Sequence, residues 1–133
     1  MATFHLQIVT PDRMAYDAQA ERIIVRTVTG DVCILSRHID YVAPLGIGEA
    51  RITDENGNVR RAACAGGMLS VNNNVVRVMA TTFEWEDEID LARAQRAQEA
   101  AQQRLAQLKA DDLKYAIVQN KLKRALNRIQ VKG

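Results

Sequence analysis

Near Asp87 the chain changes its hydrophobic period, and that change divides it into two parts that cannot share one kind of structure. Before it, apolar residues alternate. Phe4, Leu6 and Ile8 are separated by His5 and Gln7, and Thr10-Pro11-Asp12 ends the run, as in a strand buried on one face and closed by a turn. Further strands are expected at residues 20–28, 32–35, 41–45, 47–52, 59–63, 65–71 and 75–81. Between them lie Thr29-Gly30-Asp31, Glu55-Asn56-Gly57-Asn58 and Asn72-Asn73-Asn74, whose residues tolerate positive φ or hydrogen-bond their own backbone. Many short strands with turn signals between them predict a two-layer β-sandwich or flattened barrel over residues 1–84.

From Asp87 onwards there is no proline and no glycine before Gly133, and alanine, leucine, glutamine and charged residues dominate. Ala94, Ala97, Ala101, Leu105 and Leu108 form one stripe at helical spacing, and Tyr115, Val118, Leu122, Ala125 and Ile129 a second. Lys109-Ala110-Asp111-Asp112 separates them, with an aspartate able to cap a new helix. The predicted fold is therefore β then α: a sandwich followed, over residues 87–133, by an antiparallel two-helix hairpin. An alanine stripe buries little beside the roughly 1.5–3 kcal/mol of a fully buried Leu or Ile. A weakly held hairpin can open, re-dock or be biased by a ligand.

At 133 residues the chain has room for one domain, or a domain with a small appendage. No apolar stretch reads as a signal peptide or membrane span. Cys33 and Cys64 are too far apart for a CxxC pair, so buried, reduced thiols in a cytosolic compartment are expected rather than a disulfide or zinc site. Catalytic apparatus is missing from the pattern. His5 and His38 are the only histidines, and no serine or cysteine has a recognisable partner motif. Gly46-Ile47-Gly48 begins a G-x-G but has Arg51 where a third glycine belongs, and there is no phosphate loop. Asp54-Glu55-Asn56-Gly57-Asn58 lacks the spacing and closing glutamate of a calcium loop, and reads as a hairpin turn.

Two charge clusters stand out. Glu84, Glu86, Asp87, Glu88 and Asp90 crowd the start of the helical region, where negative charge suits a helix N-terminus. Lys114, Lys121, Lys123, Arg124, Arg128 and Lys132 follow with no acid after Asp112, so the second helix is a cationic rod with an apolar seam. Part of this is dipole complementarity. The rest asks for an acidic partner: a protein surface, a nucleotide or a polyanion. A net charge of +2 and 5% aromatic residues argue against nucleic acid.

With these motifs in order, the chain resembles the epsilon subunits of F-type ATP synthases along essentially its whole length. Phe4-His5-Leu6-Gln7-Ile8-Val9-Thr10-Pro11 is similar to that family's opening strand, and Gly30-Asp31-Val32, Ile34-Leu35 and His38 to its G-[ED]-[IVF]-G-[IV]-L-P-G-H signature. Ala65-Gly66-Gly67 resembles its central glycine pair, and Leu122-Lys123-Arg124-Ala125-Leu126-Asn127-Arg128-Ile129 its last helix. Cys33, Ser36-Arg37 and Ile39-Asp40-Tyr41 depart from the signature, in a loop the family uses near its rotor interface.

The resemblance implies a non-catalytic rotor part without a catalytic cofactor. The sandwich would join the central stalk, gripping the gamma subunit and the c-ring, at the cytoplasmic face of a bacterial inner membrane that it meets only through the complex. The hairpin would act as a brake on ATP hydrolysis, permissive when contracted and inhibitory when extended into the catalytic head. Lys121, Lys123, Arg124 and Arg128 would then meet acidic segments of the beta subunits. Ile89-Asp90-Leu91-Ala92-Arg93-Ala94 further resembles the I/L-D-x-x-R-A motif tied to regulatory ATP in some bacterial members. Carried over, Glu84, Ile89, Asp90 and Ala94 would surround the adenine, and Arg93, Arg124 and Arg128 would face the phosphates. The plainer reading is that Asp90 caps a helix and Arg93 pairs within it. A free-standing nucleotide-sensing module is the alternative to a stalk subunit.

Overall fold

The computed structural model describes residues 2–133, which form two compact units meeting between Glu86 and Asp87. The first contains β1 (Phe4–Val9), β2 (Met14–Thr27), β3 (Gly30–Leu35), β4 (Tyr41–Pro44), β5 (Ile47–Asp54), β6 (Val59–Asn72) and β7 (Val75–Trp85). β1 runs parallel to β7 and antiparallel to β2, while β7, β6, β5 and β2 pair in succession, so these five strands close on one another. β3 extends from β2 and β4 from β6. This closure makes the two layers of the sandwich, because β2 and β6 are long enough to serve both. Between the layers Phe4, Leu6, Ile8, Ile23, Ile34, Ile52, Leu69, Val71, Val76 and Val78 are buried, which is the alternation seen in the sequence turned into a core.

The strand pattern differs from expectation in three places. The runs expected at 59–63 and 65–71 are one strand, β6, which leaves β5 after the Ile47–Ala65 pair and takes up β4 at the Pro44–Met68 pair. Gly66 and Gly67 sit at that switch with φ of 71° and 103°. A glycine pair reads locally as a break, yet the ladder to β7 continues through it, from Ala65–Thr82 to Gly67–Ala80. Secondly, β2 begins at Met14, where Asp17, Ala18 and Gln19 are all exposed and show no alternation. Pairing with β1, from Phe4–Ala20 to Val9–Met14, holds that half in place. Thirdly, Cys33 is exposed on β3 rather than buried. Cys64 is buried in the core, and that burial pushes its thiol up to about 12, leaving it inert at neutral pH.

The turns behave as their residues dictate. The Asp54 carboxylate accepts hydrogen bonds from the backbone N–H groups of Asn56 and Asn58, each at 2.9 Å, and Gly57 takes a φ of 83° between them. Those bonds hold the Asp54 carboxyl below its ordinary range.

In the second unit, α1 (Leu91–Gln107) and α2 (Leu113–Lys132) pack together, and the short connection makes them antiparallel. Asp112 caps α2, its carboxylate accepting from the Lys114 N–H at 2.9 Å. Val118 and Ala125 are buried and Tyr115, Leu122 and Ile129 half-buried, so the second apolar stripe forms the seam. The alanine stripe follows it less completely. Ala94 and Ala101 are buried but Ala97 is exposed. The acidic run also falls outside α1, whose first turn holds no acid: Glu86–Glu88 form a separate 3-10 turn, and Asp90 alone stays at the helix end, as the cap.

Candidate functional site

An open groove of about 660 Å³ runs along the hairpin. Ala97, Ala100, Ala101 and Arg104 line it from α1, and Lys114, Ile117, Val118, Lys121, Arg124 and Arg128 from α2. Each set follows helical spacing, so each is a face of its helix. The floor is alanine methyls with Ile117 and Val118, and the charged lining is cationic throughout. Arg124 and Arg128 lie four residues apart on the same face of α2, which lets two guanidinium forks converge on one anion.

The structure thus brings together Lys121, Arg124 and Arg128 of the residues singled out in the sequence. Lys123 is exposed but does not line the groove, since two positions along a helix face different ways. Arg93 is exposed and is not part of the lining either. Ile89 and Ala94 are buried. Asp90 caps α1, its Oδ1 accepting from the Arg93 N–H at 3.1 Å, so the D-x-x-R spacing has a structural use of its own. Glu84 is half-buried on β7, opposite Ala63 of β6. Arg104 escaped the sequence reading. Its place three and four residues after Ala101 and Ala100 could have revealed it.

The cap predicts a separation of roles at Asp90. Asn caps a helix as well as Asp does, whereas Ala does not. Asp90→Asn is expected to leave the thermal stability of the hairpin unchanged and Asp90→Ala to cost about 1 kcal/mol, read by circular dichroism. If Asp90 also serves a nucleotide, Asp90→Asn will weaken that binding while the helix stays intact.

In the β unit, the loop that departs from the family signature is well tied down. Arg37 adopts a φ of 64°, the left-handed conformation that suits the glycine usual at that position, and its N–H donates to Asn74 Oδ1 at 2.7 Å. Ser36 Oγ donates to the Thr3 carbonyl at 3.2 Å, and Asp40 accepts from the Asn73 N–H at 3.1 Å. His38 packs edge-on against Tyr41, with ring centroids 5.9 Å apart. Arg37 and Asp40 therefore anchor the loop to the β6–β7 turn, and Ser36 anchors it to the residue before β1. At the end of β7, Trp85 is covered by the Arg60 guanidinium 3.7 Å above its ring and meets Phe83 edge-on.

Two family models match in tandem: the ATP synthase delta/epsilon chain β-sandwich domain over residues 3–86, and the long α-helix domain of the same chain over residues 87–133. The ATP synthase epsilon chain of Caldicellulosiruptor bescii is 40% identical over 131 residues, covering 98% of this chain and 94% of the relative. That of Halalkalibacterium halodurans is 37% identical over 133 residues, covering 100% and 99%. Among solved structures, a chain of the Euglena gracilis mitochondrial ATP synthase (OSCP/F1/c-ring) superposes with a TM-score of 0.78 at 22% identity, covering 98% of this chain and 80% of its own, which speaks to the fold. Both units, in this order and over nearly the full length of the bacterial relatives, establish that the chain belongs to the ATP synthase delta/epsilon family, as a non-catalytic subunit of the epsilon type.

Proposed function

We propose that this chain is a rotor subunit of the central stalk, its β-sandwich gripping the gamma subunit and the c-ring and its hairpin restraining ATP hydrolysis through the beta subunits. On this reading it sits peripherally at the cytoplasmic face of a bacterial inner membrane, and touches the membrane only through the complex. The observation that carries it is the match of both units to epsilon chains, with a hairpin whose seam is alanine on one side and whose exposed face is cationic. The alanines of the α1 side gain little on closing against Val118, Leu122 and Ile129 of α2, and on this reading the closed and open hairpins lie near enough in free energy for a ligand to choose between them.

ATP is the regulatory ligand in this reading. Its phosphates are held by Arg93, Arg124 and Arg128, and its adenine lies by Glu84, Ile89, Asp90 and Ala94. The paired guanidiniums of Arg124 and Arg128 support the phosphate end. ATP at about ten times its dissociation constant adds about 1.4 kcal/mol to the closed form, roughly a tenfold population shift if the open form does not bind.

The test is reconstitution. Added to an ATP synthase head from which the epsilon chain has been removed, this chain is expected to co-purify with gamma and to lower ATP hydrolysis, with ATP opposing the inhibition. Failure to bring gamma down would overturn the stalk assignment and leave a free-standing nucleotide sensor. Binding without any effect on hydrolysis would remove the brake.

A further inference from the structure

We infer that Arg60 and Arg61 form a two-sided clasp on the end of β7, which fixes where the connection to the helical unit begins. The paired backbone stops short of that point. The β6–β7 ladder closes with the Ala62–Trp85 pair, and the next residue, Glu86, already opens the 3-10 turn. Past this last pair, side chains of β6 reach across. Arg60 lays its guanidinium 3.7 Å above the Trp85 ring, and Arg61 Nη1 lies 3.8 Å from Glu86 Oε1. Successive residues of a strand point to opposite faces, so Arg60 grips on the inner side with Ala62 and Trp85, and Arg61 on the outer side.

Each grip is anchored in turn. Trp85 meets Phe83 edge-on, with ring centroids 4.9 Å apart, and lies 6.3 Å from Tyr16, so the surface under Arg60 is fixed by the core. Arg61 is held by Glu49, which also pairs with Arg51 at 3.2 Å, so its guanidinium reaches Glu86 already oriented. The clasp coincides with the boundary between the units, which falls directly after Glu86. With it closed, residues 87–90 alone separate the sandwich from Leu91, the first residue of α1. Opening it would free Trp85 and Glu86 as well and add about 7 Å of extended chain. The two arginines therefore set the length of the tether between the units.

The test is hydrogen exchange on the full chain, read by mass spectrometry over residues 83–88, with residues 75–79 of the same strand as the internal reference. Arg60→Ala is expected to speed exchange of the 83–88 segment about fivefold, Arg61→Ala about twofold and the two together about tenfold, with 75–79 unchanged. Arg60→Ala should also open Trp85 to quenching by acrylamide. Salt separates the two grips. At about 1 M, where charges are screened within about 3 Å, the ion pair weakens far more than a guanidinium stacked on a buried ring. The Arg60→Ala chain should therefore show a further rise in exchange with salt, and the Arg61→Ala chain little. Arg61→Lys keeps the charge and should stay near the parent rate. Circular dichroism reports whether each variant keeps its structure, and Arg60→Gln, which retains the aliphatic stem but not the planar cation, replaces Arg60→Ala if that one does not. Exchange that rises equally over 75–79 would make the arginines general stabilisers of the sheet and overturn the proposal, as would variants whose 83–88 segment exchanges at the parent rate. These readouts need neither gamma nor nucleotide, so they stand apart from the role of the hairpin as a brake.

Discussion

Gly67→Ala should unfold or severely destabilise the β-sandwich, with a loss of at least about 3 kcal/mol measured by chemical denaturation. Gly67 holds a φ of 103°, where any residue with a Cβ is strained. A Cβ there would lie 1.8 Å from the Met79 carbonyl oxygen and 2.9 Å from the Ala80 Cα, and both are backbone atoms of β7 that no rotamer change can move. Either β7 separates from β6 or Gly67 changes conformation. The second route breaks the hydrogen bond from the Leu45 N–H to the Gly67 carbonyl, which ties the β4–β5 connection to β6. Gly57 is the control. Its φ is 83° but a Cβ would meet nothing within 4 Å, so Gly57→Ala should cost only about 1–2 kcal/mol, the intrinsic penalty of the left-handed conformation. Equal losses at the two sites would show that strain alone, and not the close approach of β7, sets the cost. Trp85, the chain's only tryptophan, is buried under Arg60 at the end of β7 and reports the unfolding by fluorescence.

That glycine pair also marks the limit of what local pattern reveals. Alternation found the core because each inward residue of β1, β6 and β7 is apolar and each turn carries Gly, Asn or Asp. It missed the first half of β2, where Asp17 and Gln19 face solvent and pairing to β1 supplies the order. It also split β6 at Gly66-Gly67, since a pair of glycines spells a break locally and a change of partner in the sheet. The hairpin was legible as two helices joined over residues 109–112, of whose two aspartates Asp112 is the cap, though Ala97 of the expected stripe is exposed and α1 begins only at Leu91, after the acidic run. Its groove was legible only in part. Lys121, Arg124 and Arg128 share one face of α2, and Arg104 shares one face of α1 with Ala97, Ala100 and Ala101, both of which spacing reveals, whereas the meeting of these two faces in one groove is a juxtaposition that no single-helix period encodes. The same limit applies to Asp90 and Arg93. Their spacing fits a nucleotide motif and a helix cap equally, and the cap is the use visible in the chain itself.

Neutralising both arginines, Arg124→Ala with Arg128→Ala, is the change expected to affect nucleotide binding most. If the phosphates lie between them, each loss removes a charge-assisted contact worth about 1.5–3 kcal/mol when shielded, and less at a half-exposed position. A single substitution should then weaken ATP about tenfold and the pair about a hundredfold, short of strict additivity because the two share one ligand. Arg124 gives the cleaner reading, since Arg128 also has a partner within the chain whose loss could be felt in the helix. Arg124→Lys separates charge from geometry. It keeps the cation but loses the planar fork, and should recover only part of the affinity. If the hairpin restrains hydrolysis as proposed, the same double variant should weaken inhibition of the reconstituted enzyme for a different reason, by removing cations from the face proposed to meet acidic segments of the beta subunits. Calorimetry on the isolated chain reads the first effect and hydrolysis assays without added regulatory nucleotide read the second. No heat from the parent chain at about millimolar ATP, or a double variant that binds as the parent does, would return Ile89 to Ala94 to an ordinary helix start and leave the groove to a protein partner.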